Sequence, residues 1–252
     1  MDNNEHDQLK ILLREITILN VNLSYLHTMN LQDRFIKHPN YGELSILFDK
    51  YGSDKGSTMN FPGVNHIYTW LPHAYAYIYE QLFYDKKFEI KTVFECGIGS
   101  NNESIPFSMT KSGKPGASLF AWRDYFPNAT IYGADIDDKI EIKEDRIITG
   151  YMDQTNPETI DKYFAEVCQD KNFDIMIDDG CHTVDANICL FENAFKHLNK
   201  NGIYVIEDIF YSNIHKIYNN LIKNHDIDVN YCIMSSMPFL SDNNLIIIRH
   251  KS

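Results

Sequence analysis

Basic residues are scarce in this sequence. Its 252 residues include 23 lysines and arginines against 35 aspartates and glutamates, which leaves a formal net charge of −12. Nucleic-acid-binding proteins normally present a basic surface, so this balance argues against a nucleic-acid partner. It is compatible with a metal site, which needs local carboxylates, although most of the excess charge is expected to be solvated surface.

The sequence also lacks long apolar runs and paired cysteines. No run approaches the roughly 20 apolar residues that span a bilayer, and the first ten residues lack the basic and apolar regions of a signal peptide. The cysteines form no CxxC pair, which favours free thiols in a reducing cytosol. These absences predict a soluble cytoplasmic protein with no membrane span. The five cysteines are Cys96, Cys168, Cys181, Cys189 and Cys232.

The first part of the chain, residues 1–88, is predicted to be a helical extension that covers a cofactor. Residues 9–23 carry leucine and isoleucine at helical 3/4 spacing, the pattern of an amphipathic helix. That helix must bury its apolar face on its own core or on another subunit, and we expect a homo-oligomer. In the loop YGSDKGS (51–57), Tyr51 and Lys55 are candidates to line the site.

Two histidines, His66 and His73, fall in the aromatic-rich stretch that follows this loop. We expect each to be a packed or surface residue rather than a catalyst.

From residue 89 to 252, apolar strand patterns alternate with helical ones. Helical stripes are predicted over 160–167, 184–198 and 214–221. Such alternation predicts an α/β, doubly wound, mostly parallel sheet with helices on both faces and with ligands at the carboxyl ends of the strands. The predicted strands are Thr92–Cys96, Thr130–Ala134, Arg146–Thr149, Phe173–Ile177, Ile203–Ile206, Asn230–Met234 and Leu245–Ile248.

The ends of the first three strands carry residues suited to a nucleoside. FECGIGS (94–100) lets the backbone approach a ligand through its glycines but is not the GxGxxG of dinucleotide sites. Asp135, after the second strand, is placed to accept hydrogen bonds from ribose hydroxyls. Asp153 and Gln154 follow the third strand, where a base would lie. The alternative at Asp135 is an aspartate-rich turn; a calcium loop is excluded because the position expected to be glycine is Ile140.

Carboxylates follow the fourth and fifth strands. Asp178 and Asp179 come directly after an apolar strand, with His182 three residues beyond, and Glu207-Asp208 close the next strand. Unpaired buried carboxylates are costly, so a cation is a natural partner. Oxygen ligands suit Mg²⁺ or Mn²⁺ better than structural zinc. The alternative is that the aspartates cap the next helix and Glu207 pairs with a lysine.

Five segments in order make a specific pattern: YGSDKGS (51–57), FECGIGS (94–100), SLFAWRDYFPNATIYGADID (118–137), IDDGCH (177–182) and VIEDI (205–209). This set resembles the metal-dependent sugar O-methyltransferases typified by the mycinamicin and tylosin macrolide enzymes, with relatives in bacterial surface-polysaccharide clusters. The resemblance implies a Rossmann-like class I methyltransferase with a seven-stranded sheet that ends in an antiparallel strand. Cys181 stands where that family usually has serine.

The resemblance also implies residue roles. Asp179, Glu207 and Asp208 would hold the metal, Mg²⁺ or Mn²⁺, and His182 would be the catalytic base, with Asp179 beside it. The cofactor, S-adenosyl-L-methionine, would meet Asp135 at its ribose and Asp153 and Gln154 at its adenine. The full set of predicted cofactor-binding residues is Tyr51, Lys55, Glu95, Gly97, Gly99, Asp135, Asp153, Gln154 and Asp178.

The predicted reaction is methylation of a sugar hydroxyl, with a nucleotide-activated, heptose-like sugar of capsular or surface polysaccharide as the small-molecule acceptor. A phosphoramidate or a catechol-like group are alternative acceptors. Outside this class, the alternatives are an NAD(P)-dependent oxidoreductase and a non-catalytic nucleoside-binding protein.

Overall fold

The protein is described here by a computed structural model that covers residues 42–56, 73, 75–105, 108–233 and 242–251. These residues belong to one compact unit, Asn40–Ser252. The predicted helix over 9–23 and His66 lie outside the described residues. Among the helices that are described, none combines the length and the apolar character that a bilayer crossing requires. The predicted boundary after residue 88 stays a prediction.

A seven-stranded sheet forms the centre, in the order β3-β2-β1-β4-β5-β7-β6. The first five strands pair in parallel, and β7 is antiparallel to both of its neighbours. This confirms the doubly wound α/β fold and the antiparallel strand near the end. The strands are β1 (Thr92–Cys96), β2 (Thr130–Asp135), β3 (Ile147–Tyr151), β4 (Phe173–Asp178), β5 (Leu198–Ile206), β6 (Ile227–Ile233) and β7 (Asn244–His250).

Helices cover both faces of the sheet, so the side chains of the central strands are buried on both sides. On one face α4, α5 and α6 share a core with alternate strand residues such as Phe94 and Tyr204. On the other face, Trp122 of α3 packs against Phe48 of α1 and Tyr79 of α2. The helices are α1 (Glu43–Tyr51), α2 (Ala76–Phe83), α3 (Ala117–Tyr125), α4 (Pro157–Lys162), α5 (Val184–Ala194) and α6 (Ile214–Asn224).

The fifth and sixth strands begin earlier than predicted, at Leu198 and Ile227. Two of the predicted helical stripes also end elsewhere than expected. The apolar stripe predicted as one helix over 184–198 stops at Ala194 and tightens into a 3₁₀ turn over Phe195–His197. Leu198 then begins β5, because it pairs with Phe173 across a bulge. The stripe over 160–167 is also split, since α4 gives way to a π-helical turn at Tyr163–Val167. In both cases an apolar repeat marks burial correctly but does not mark where the helix changes pitch.

The segment after α1 runs beside the start of α2 and brings Lys55 to the ends of the strands. His73 and Ala76 donate backbone hydrogen bonds to the carbonyls of Asp54 (2.8 Å) and Lys55 (2.9 Å). The buried Glu80 of α2 accepts from Leu44 N at 2.6 Å and thereby satisfies a free amide at the N-terminus of α1. These bonds fix the position of Lys55 in the fold.

Candidate active site

A cavity of about 590 Å³ opens at the carboxyl ends of the parallel strands, next to the boundary between β1 and β4. The strand order reverses at this boundary, since β2 and β3 follow on one side of it and β5 follows on the other. Ligands of doubly wound sheets bind in this place. Most of the residues predicted from the sequence line it: Lys55, Gly97, Gly99, Asp135, Asp153, Gln154, Asp179, His182 and Asp208.

The loop after β1 follows the floor of this cavity and requires its glycines. Gly97 and Gly99 have φ values of +83° and +84°, a region that side chains rarely tolerate. A Cβ on Gly97 would lie 2.0 Å from the Asp179 carbonyl oxygen, and one on Gly99 would lie 2.0 Å from the Met109 sulfur. The backbone therefore passes close to the metal-binding candidates on one side and to the long loop before α3 on the other.

Asp135, at the end of β2, presents its carboxylate to the cavity. Its two oxygens accept hydrogen bonds from Gly99 N (3.1 Å) and Asp137 N (3.0 Å). The backbone amide of Ile98 also contributes to holding this carboxylate. A carboxylate has about four acceptor positions, so Asp135 can still accept from a ligand hydroxyl. Asp153, at the end of β3, is half-buried and its Oδ1 accepts from Thr155. This arrangement suits a ribose at Asp135 and a base beyond it.

Three side chains converge at the other end of the cavity. Asp179, His182 and Asp208 each offer one ligand atom, and these atoms lie within 4.8 Å of one another. His182 and Asp208 both have left-handed backbone, with φ values of +54° and +52°. Such conformations cost free energy in residues with side chains and cluster at functional sites. Each of the three side chains is about one-fifth exposed, which leaves the cluster open to the cavity.

Asp208 is oriented by residues from the segment before α2. Its Oδ1 accepts from Tyr75 Oη at 2.7 Å and lies 3.1 Å from His73 Nδ1. Burial acts to lower the pKa of His73, but Asp208 outweighs it and raises the pKa to about 10. Burial likewise acts to raise the pKa of Asp208, but His73 holds it well below its usual range. The pair is therefore ionised at neutral pH.

Lys55 occupies a second, deeper position among the carboxylates. Its Nζ contacts Asp179 Oδ2 at 2.5 Å and Glu95 Oε1 at 3.4 Å, and it donates a hydrogen bond to Glu207 Oε2. Burial opposes the charged ammonium, yet the surrounding carboxylates raise the pKa of Lys55 well above its ordinary value. The other oxygen of Glu207 accepts from Tyr79 Oη. Glu207 is thus fully buried and committed to protein donors.

The charges of this cluster do not balance without a further cation. Four carboxylates (Glu95, Asp179, Glu207 and Asp208) face the two cations Lys55 and His73. Burial raises the pKa of Asp179 to about 7 against the opposing effect of Lys55, and it raises the pKa of Glu207 well above its usual range. One divalent cation at Asp179 and Asp208 would neutralise the excess. The donor set therefore fits Mg²⁺ or Mn²⁺.

Four predicted site residues do not line the cavity. Tyr51 lies on α1, where its hydroxyl donates to Asp124 and its ring stacks on Phe120. Glu95 is buried behind the glycine loop and accepts from Trp122 Nε1 at 2.8 Å. Tyr51 and Glu95 are therefore placed to support the fold rather than to touch a ligand. Asp178 and Glu207 also do not line the cavity. Both are fully buried and bonded to protein groups.

Several residues of the site were not predicted from the sequence. His73 is packed, as expected, but it also contacts Asp208. Tyr75, directly before α2, and Tyr79, within it, reach the two acidic residues after β5. Their spacing of four residues within an aromatic stretch was the available signal, but that spacing is also typical of ordinary core packing.

Substitution of Lys55 by methionine is expected to lower the free energy of unfolding of the metal-free protein by about 3–5 kcal/mol, because it leaves buried carboxylates without their cation. Urea denaturation measures this. The matched control is Lys50→Met: Lys50 is more than half exposed, so solvent screens its ion pair with Asp124 and the substitution should change the stability little. Equal effects of the two substitutions would contradict the assignment of Lys55 as the buried counter-ion.

The architecture defines the class. The strand order with an antiparallel β7 is that of the Rossmann-like class I methyltransferase fold. The solved MycE methyltransferase from the mycinamycin biosynthetic pathway, in complex with Mg and SAH, superposes with a TM-score of 0.60 at 24% identity, over 82% of this chain and 54% of that one. A second MycE structure, which also holds mycinamycin VI, gives the same TM-score. At this identity the likeness shows the fold alone.

Comparison with known sequences supports the resemblance that the motifs carry. The chain is 34% identical over 166 residues to 8-demethyl-8-alpha-L-rhamnosyl tetracenomycin-C 2'-O-methyltransferase of Streptomyces olivaceus. It is 33% identical over 159 residues to mycinamicin VI 2''-O-methyltransferase of Micromonospora griseorubida. The matches cover 66% and 63% of this chain but only 37% and 36% of those relatives. They confirm the resemblance to the sugar O-methyltransferases. No family model matches the chain.

Proposed function

We propose that the chain is an S-adenosylmethionine- and divalent-metal-dependent O-methyltransferase that acts on a sugar hydroxyl. The observation that carries this is the convergence of Asp179, His182 and Asp208 at one end of a cavity whose other end presents Asp135 and Asp153. The first group suits a metal and a base, and the second suits a nucleoside. The relatives named above are sugar O-methyltransferases, which supports the reaction type.

Asp135 would hold the ribose of the cofactor through its remaining acceptor capacity, while the left-handed backbone of Gly97 and Gly99 sets the path of the glycine loop along the cavity. Asp179 and Asp208 would hold the divalent cation. Glu207 would join them only by releasing Lys55 or Tyr79, so we propose that it supports the ligand set by fixing Lys55 against Asp179. A cation held there would supply Lewis-acid activation of an acceptor hydroxyl.

His182 is the residue placed to take the hydroxyl proton. Its Nε2 lies 3.8 Å from Asp208 Oδ2, and its side chain faces the cavity. Histidine is the side chain that most often serves as a general base in enzymes. Asp208 itself is held ionised by His73, so it stabilises the imidazolium that forms when His182 accepts the proton. A cofactor and an acceptor held together in this cavity would meet at short range, which would supply part of the remaining acceleration.

A narrower acceptor is also part of the proposal: a nucleotide-activated, heptose-like sugar of capsular or surface polysaccharide. Transfer of a labelled methyl group tests this, with Mg²⁺ present and three groups of acceptors: nucleotide sugars, glycosylated small molecules and phosphoramidates. Methylation of a nucleotide sugar supports the narrower proposal. If only glycosylated small molecules are methylated, the proposal of a nucleotide-sugar acceptor is wrong. If only phosphoramidates are methylated, the proposal of a sugar acceptor is wrong.

Asp135→Ala is expected to weaken binding of S-adenosylhomocysteine by roughly 10- to 100-fold, because hydrogen bonds to a charged group contribute about 1.5–3 kcal/mol. Isothermal titration calorimetry measures this. Titration with NAD(P)H in the same cell separates the oxidoreductase alternative, since the glycine loop lacks the dinucleotide pattern. Tight binding of NAD(P)H, with no binding of the methyl cofactor, would contradict the proposal.

A further inference from the structure

Gln154 follows β3 at the point where an adenine would lie, but its side chain is bonded to protein. Nε2 donates to Asp178 Oδ1 at 2.6 Å, and Oε1 accepts from Cys181 N at 2.7 Å. Both ends of the carboxamide are thus used, and the side chain is nearly fully buried. The amide joins the end of β3 to the loop after β4.

A carboxamide is the group that this position requires. The Asp178 carboxylate can only accept, and the Cys181 amide can only donate, so one side chain must offer a donor and an acceptor together. Asp178 is completely buried, and Asn187 of α5 donates to its second oxygen at 2.9 Å. The two amides therefore hold this carboxylate from opposite sides, which a buried charge needs.

The same bridge requires a glycine beneath it. A Cβ on Gly180 would lie 2.1 Å from Gln154 Oε1. The Gly180–Cys181 peptide therefore packs directly under the amide. Asp179 precedes this peptide and His182 follows it, so the two residues proposed as ligand and base flank the bridged segment.

We propose that Gln154 is a positioning residue, whose side-chain amide fixes the loop that carries Asp179 and His182 rather than reading the adenine. This rests on the proposed function. The left-handed backbone of His182 needs such support, because a strained conformation persists only where its surroundings over-determine it. The bridge also links the two ends of the cavity. Gln154 follows β3, where the adenine would lie, and its amide holds the loop that carries the proposed metal ligand Asp179.

Gln154→Met keeps the length of the side chain and removes both hydrogen bonds. We expect kcat and the affinity for Mn²⁺ to fall by roughly 10- to 100-fold, the usual effect of losing a group that orients a metal ligand. The Kd for S-adenosylhomocysteine is expected to stay nearly unchanged. Electron paramagnetic resonance of free Mn²⁺ and calorimetry measure the two affinities without turnover.

An exchange of the two partners provides the sharper test. Gln154→Glu alone sets a carboxylate against Asp178 and should impair Mn²⁺ binding. Adding Asp178→Asn should restore the affinity for Mn²⁺. The asparagine at 178 can donate to the glutamate at 154 and can still accept from Asn187. The glutamate in turn can accept from Cys181 N. Gln169→Glu, at an exposed glutamine, controls for the added charge.

Recovery of Mn²⁺ affinity in the exchanged double variant supports the bridge, since contact with adenine predicts no such recovery. Weaker binding of S-adenosylhomocysteine in Gln154→Met, with Mn²⁺ affinity unchanged, would overturn the inference and leave the proposed function standing. Loss of thermal stability alone, with both affinities and kcat unchanged, would also overturn it. Failure of the unaltered protein to bind Mn²⁺ or the cofactor would overturn the proposed function itself, and this inference with it.

Discussion

Replacement of His182 by alanine is expected to lower kcat for methyl transfer by roughly 10²–10⁴, which is the usual contribution of a general base. The affinity for S-adenosylmethionine should stay nearly unchanged, because His182 lies beside Asp208 at the metal end of the cavity rather than beside Asp135. Steady-state kinetics with a saturating cofactor measure the rate, and calorimetry measures the affinity.

The affinity for Mn²⁺ decides between the two roles open to His182. If it is the base, His182→Ala should still bind Mn²⁺ with nearly the same Kd; if it is a ligand, the Kd should rise along with the loss of rate. His225→Ala is the matched control, since His225 is partly buried like His182, pairs with Glu192 and does not line the cavity. Unchanged turnover in His182→Ala would remove His182 from the mechanism.

Removal of the divalent cation by a chelator is expected to lower the rate by roughly 10³-fold or more, because a Lewis acid contributes several kcal/mol to such a transition state. Addition of Mg²⁺ or Mn²⁺ should restore it. The fold should survive chelation, because Lys55 and His73 already compensate two of the four clustered carboxylates.

Asp208→Asn supplies the matched test of this dependence. It removes the carboxylate charge that would face the cation while the amide oxygen can still accept from Tyr75. We expect the variant to need much more Mg²⁺ for half-maximal activity. Full activity of the chelated protein, or an unaltered Mg²⁺ requirement in Asp208→Asn, would refute the role assigned to the metal.

The sheet was predictable because its strands are short apolar runs bounded by polar or glycine-rich turns. The positions of Asp135, Asp179 and Asp208 followed from the same logic, since residues directly after parallel strands meet at one edge. The pitch changes after Lys162 and Ala194 were not predictable, because the apolar repeat continues through them.

Partners that come from distant segments also escaped prediction. Gln154 was predicted to meet adenine, but its contacts with Asp178 and Cys181 depend on how two loops meet in space. Asn187 carries no signal of its own within α5, yet it completes the environment of Asp178. Lys55 was predicted to line the cofactor site, and the position of its ammonium between carboxylates is a tertiary feature.

In the proposed site, one cavity holds the cofactor's methyl group beside a divalent cation at Asp179 and Asp208. Nuclear magnetic resonance of bound S-adenosylmethionine with Mn²⁺ tests this directly and needs no acceptor. We predict that Mn²⁺ relaxes the S-methyl protons more strongly than the adenine protons, and that Asp208→Asn weakens the effect. Stronger relaxation of the adenine protons, or no relaxation of either group when both ligands are bound, would contradict the account.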